Sequence, residues 1–155
     1  MTVQDVLEAA REAAIEIRRI EEQKQARLMA LGPGGHTYDA HPKVGILDPM
    51  RHMDALIDWQ DEQMHALNLQ PPIEDAYTIM RGIERVADSM DVEVATRYYL
   101  QAESWREIAR SLEDRIEELQ GLTRDDQVTV LSKSLENCVK QWDRIGIAHL
   151  KEMGR

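Results

Sequence analysis

Glu62-Gln63-Met64-His65 is the first spacing in this chain suited to catalysis. On a helix an E-x-x-H puts a carboxylate and an imidazole on one face, the ligand pair from which carboxylate-bridged di-iron bundles are built. Such a centre needs a second E-x-x-H and two further glutamates, and no second copy occurs in the 155 residues. His36, His41, His52 and His149 are scattered without zinc-ligand spacing. Cys138 is the only cysteine, which excludes a cysteine-based zinc site and an intramolecular disulfide and suits a reducing compartment. Acidic pairs such as Asp58 with Asp61, or Glu117 with Glu118, are magnesium ligands in all-α hydrolases, but solvated helix faces carry such pairs routinely. Gly32-Pro33-Gly34-Gly35-His36 lacks the Lys-Ser or Lys-Thr ending of a phosphate-binding loop. The residues therefore predict a protein that is not an enzyme and holds no metal or cofactor.

The other available chemistry is recognition, and charge constrains it. The net charge of -10 argues against a protein that coats nucleic acid through a general positive field. The acid sits mainly in the middle of the chain. Residues 123 to 155 carry six basic against five acidic side chains, the only segment with a positive balance, so any contact with phosphate is expected there.

The elements that must position these residues read as helices. Phe is absent, aromatics make up 5%, and Met, Leu, Ile and Ala carry the apolar load, which favours helix over sheet. Val3, Val6, Ala10, Ala13, Ile17 and Ile20 alternate at spacings of three and four, one stripe of a helix running to about Leu31. Lys24 and Arg27 break the seam, so Val6, Ala10, Ala13, Ile17 and Ile20 are a candidate interaction seam, for a homodimer or for packing within the chain. Gly32 to about residue 48 is expected to be a loop. Asp48-Pro49 opens a second helix with Met50, Met53, Ile57, Met64 and Leu67 on its stripe. Pro71-Pro72 opens a third, with Ile73, Ala76, Met80, Ile83, Ala87 and Met90. The pattern shortens after residue 90: a dense helix from Val92 to Ala102, a capping box at Ser104 to Glu107, and a capped start at Thr123 for a final helix of about six turns. The expected architecture is all-α: an N-terminal helical region, 1–90, as a hairpin or bundle, and a C-terminal region, 91–155, as a helix-turn-helix-like three-helix unit. No apolar run is long enough to span a membrane, and a cytoplasmic location is expected.

Ala95-Thr96-Arg97-Tyr98-Tyr99-Leu100, followed by Ser104-Trp105-Arg106-Glu107-Ile108-Ala109 and Leu112, resembles the helix-turn-helix of the fourth region of sigma-70 factors. The whole layout is similar to phage and prophage transcriptional regulators of the ArpU and RinA type. The resemblance covers about 60 residues. It implies a third helix from Thr123 that enters the DNA major groove or meets the transcription machinery. That places Arg106, Arg110, Arg124, Gln127, Thr129, Ser132 and Lys133 as candidate DNA-binding residues, side chains that reach base edges and phosphates. One departure stands out: 15 residues separate Leu112 from Val128 where a compact motif uses a turn of three or four. The inserted stretch 113–122 carries Glu113, Asp114, Glu117 and Glu118 against Arg115, and would repel phosphates beside a groove.

Two functions follow. The first is a transcriptional regulator binding promoter DNA, RNA polymerase or both through the C-terminal unit. The second is a helical protein-protein adaptor with a degenerate helix-turn-helix, in which Tyr98, Tyr99 and Trp105 are only the large side chains of a small core.

Overall fold

The computed structural model describes the backbone of residues 1–37 and 60–155, and the side chains of 1–29 and 60–155. The protein is all-α; the described residues contain no strand. Its helices are α1 (Val3–Thr37), α2 (Gln70–Glu84), α3 (Ser89–Ala95), α4 (Trp105–Leu112), α5 (Arg124–Ile145) and α6 (Ile147–Met153), with a π turn at Thr96–Leu100 and a 3-10 turn at Glu117–Leu119. Residues 60–68 are helical as well.

α1 begins on a reciprocal cap: the Thr2 hydroxyl accepts from the Asp5 amide at 3.1 Å, and the Asp5 carboxylate accepts from the Thr2 amide at 2.9 Å. The helix runs on to Thr37, through Gly32, Pro33, Gly34 and Gly35, where the sequence predicts a loop. Each glycine costs a helix about 1 kcal/mol, and an interior proline about 3 kcal/mol because it lacks the amide that donates one turn back. The signal for a break is therefore strong, and the continuous backbone of α1 departs from it. The remainder of that expected loop, the start at Asp48-Pro49, and Met50, Met53, Ile57, His41, His52 and Asp58 lie outside the described residues.

The chain forms two compact units, residues 1–15 with 71–155, and residues 16–70. A boundary near residue 90 therefore falls inside the first unit. There Val3, Val6, Leu7 and Ala10 of α1 share a core with Ala76, Ile79, Met80 and Ile83 of α2 and with Leu135, Val139 and Trp142 of α5. The apolar stripe of α2 closes on the C-terminal helices because both need the same covered surface. Of the two readings of the seam, this favours packing within the chain: Val6 and Ala10 belong to that core, Ala13 and Ile20 are buried, and Ile17 is half-buried. A stripe at helical period serves a partner chain or the chain's own core equally well, and here it is covered by the protein itself.

A second core in the same unit gathers Val94, Ile108, Ala109, Leu112, Leu119 and Leu131. It draws on α3, α4, the 3-10 turn and α5. α4 starts on the expected capping box: the Ser104 hydroxyl accepts from the Glu107 amide at 3.2 Å and the Glu107 carboxylate accepts from the Ser104 amide at 3.3 Å. Ser104→Ala is expected to cost about 1 kcal/mol, read as a lower urea midpoint at constant slope. α5 starts where Thr123 accepts from the Asp126 amide at 3.3 Å, and ends at Gly146, whose φ of 93° turns the chain into α6. Leu150 of α6 is fully buried in the first core.

Candidate recognition surface

The tyrosine-rich turn is held from α1. Arg11 donates to the backbone carbonyl of Tyr98 and, at 3.1 Å, to that of Glu103, while its guanidinium lies 3.8 Å from the Tyr98 ring centroid. Tyr98 stacks on Trp105 at 4.3 Å between centroids and 21° between planes, and meets Tyr99 edge-on at 5.0 Å. Burial, with Tyr98 alongside, pushes the Tyr99 phenol up to about 12. These aromatics, packed on one another and on Arg11, lie where the chain enters α4. Arg11 was not signalled by the sequence, because its targets are backbone carbonyls, which no residue pattern encodes.

The seven candidate DNA-binding residues are placed differently from one another. Gln127 is 1% exposed, donates to the Leu119 carbonyl at 2.9 Å, and accepts from Arg124 at 2.8 Å. It is a buried strut, not a reader of bases. Arg124 is turned to the inserted stretch, donating to the Glu113 carboxylate at 3.0 Å as well as to Gln127. Arg106 is exposed and paired with Asp125 at 2.6 Å. Thr129 and Ser132 spend their hydroxyl protons on carbonyls of their own helix, those of Asp125 and Thr129, at 3.0 and 3.1 Å. Arg110 and Lys133 are exposed and form no ion pair among the described residues.

For Arg124 and Gln127 the cause is the stretch 113–122. It folds back onto the second core through Leu119, which is fully buried, and Ile116, which is half-buried. The i, i+3 spacing of these two apolar residues among acids was the available signal for this anchoring. From there Glu113 and the Leu119 carbonyl engage the first turn of α5, the turn a major-groove reader must leave open.

Elsewhere on the first unit Glu93 is one of the carboxylates paired with arginine. Glu93 takes Arg115 at 2.8 Å and Arg97 at 3.4 Å, and the Arg115 hydrogen bond holds its carboxyl below the ordinary value. On the second unit the E-x-x-H pair does not converge: Glu62 is bound to Arg27 at 2.5 Å and His65 faces Glu16 at 3.6 Å. Leu28, Met29, Met64 and Leu67 of that unit are exposed. No helix among the described residues is long and apolar enough to cross a membrane. Comparison with family models, with curated proteins and with solved structures finds no match to this chain.

Proposed function

We propose that the chain is a small, non-catalytic helical regulator of the sigma-region-four-like type that works by docking on a protein of the transcription machinery. The class comes from the resemblance of residues 95–112, supported by the capping box at Ser104 and the capped start at Thr123. The choice of a protein surface over the major groove rests on one observation: the first turn of α5 is engaged by the acidic insertion through Glu113, Arg124, Gln127 and the Leu119 carbonyl. An arginine bonded to a carboxylate and a buried glutamine cannot form bidentate base contacts without breaking that network. The net charge of -10 acts in the same direction.

Bacterial RNA polymerase captured on a sensor surface is the probe. Saturable binding of the wild-type chain is the expected result, with release on adding polymerase in solution. Absence of any association with core enzyme or holoenzyme would contradict the transcription-machinery assignment.

A further inference from the structure

The first unit has a cleft of about 350 Å³ between α3, the 3-10 turn and α5, and its composition is one-sided. Met90, Val94, Ile116 and Val130 give it an apolar floor, while Asp88, Asp91, Glu117 and Glu118 stand around it, and among the described residues no lysine or arginine lines it. The volume holds roughly two benzene-sized groups at ~150 Å³ each.

We propose that this cleft docks a basic amphipathic segment of a partner protein, aliphatic side chains seated on the floor and flanking lysines or arginines against the four carboxylates. The inference rests on the protein-docking function above and names its site. Charge complementarity selects the occupant. Glu93, Glu103, Glu113 and Asp125 of the same unit are each paired with an arginine, whereas Asp88, Glu117 and Glu118 form no ion pair among the described residues. Asp114 and Asp126 of the unit likewise form no ion pair among the described residues, so what sets these three apart is the apolar floor they surround. Asp88, Glu117 and Glu118 are exposed to water, where a single pair is worth under about 1 kcal/mol. One small amine therefore gains little, while a segment that presents several cations and two apolar anchors at once sums many such contacts. An amphipathic helix laid in an apolar groove is a recurring mode of that kind.

The cleft also carries its own reporter. Cys138, the only cysteine in the chain, lines it, and burial together with the neighbouring Asp91 carboxylate pushes its thiol up to about 11.

The test uses the full chain and a fluorescein-labelled amphipathic leucine-lysine peptide, with leucine-glutamate and serine-lysine peptides of the same pattern as controls. The leucine-lysine peptide is expected to bind saturably and to slow alkylation of Cys138 by iodoacetamide at mildly alkaline pH. Glu117→Gln with Glu118→Gln is expected to weaken it about three- to tenfold, the loss of two exposed pairs. Val130→Lys, which puts a cation on the floor, abolishes it, with circular dichroism showing that each variant stays folded. Equal binding of either control peptide, or binding that ignores Glu117, Glu118 and Cys138, would show attraction to the overall negative charge and overturn the proposal; so would no binding. If the peptide fails while polymerase still binds, the cleft is wrong and the docking function stands; loss of polymerase binding removes the function itself.

Discussion

Gly82→Ala is expected to destabilise the protein by about 3 kcal/mol, the upper part of the range for forced overpacking. A methyl group at Gly82 would lie 2.1 Å from the Leu150 carbonyl oxygen and 2.8 Å from its carbon. These are backbone atoms of α6, so no side-chain rotation relieves the clash and α6 has to withdraw. The same helix pair is tight at its other end, where a methyl on Gly154 would lie 2.0 Å from the Thr78 carbonyl oxygen. Withdrawal exposes Leu150, now fully buried. The sign of the effect is diagnostic, because helix propensity alone favours alanine over glycine within α2 by about 1 kcal/mol. A lower urea midpoint is the predicted reading. A midpoint that rises would mean that α2 and α6 do not approach as closely as described.

Leu119→Ala is expected to cost 2–5 kcal/mol, roughly the range for emptying a fully buried leucine site. It should also have a functional consequence. Leu119 anchors the acidic stretch 113–122 to the second core, and its carbonyl accepts from the buried Gln127 amide. Without that anchor Glu113 and Gln127 release Arg124, and the first turn of α5 opens. Glu117→Ala, one turn position away and exposed, is the matched comparison and is expected to stay within about 0.5 kcal/mol of wild type. Urea denaturation of both variants measures the difference. Equal midpoints would mean that the insertion is not anchored through this leucine.

Much of the fold is legible in the sequence because it is written in local chemistry. The caps at Ser104 and Thr123 are set by residues three apart, and the stripes of α1, α2 and α5 by helical period. Which surface each stripe meets is not local. The spacing of Val6, Ala10, Ala13, Ile17 and Ile20 is the same for a dimer seam and for a core, and for Val6 and Ala10 it is burial against α2 and α5 that decides. The seven candidate DNA-binding residues were chosen by side-chain chemistry and position relative to Thr123. Gln127 fails because one turn of α5 faces inward under Leu119, and Arg124 because Glu113 reaches it across 11 positions. The acidic character of the insertion was visible in the sequence. Its place against α5 depends on Leu119 finding the second core, which only the assembled unit displays. Gly32 to Gly35 signal a break, through glycine entropy and the missing Pro33 amide, that the backbone of α1 does not show.

The central claim is that the first turn of α5 is closed to DNA. A fluorescence anisotropy titration of the wild-type chain against a pool of randomised duplexes, at about 50 mM and about 200 mM salt, tests it most directly. The account predicts no association beyond weak, sequence-indifferent binding at the lower salt, unchanged in Arg124→Ala. Tight binding that falls steeply as salt rises and is lost in Arg124→Ala would show that Arg124 leaves Glu113 for phosphate or base, and would contradict it.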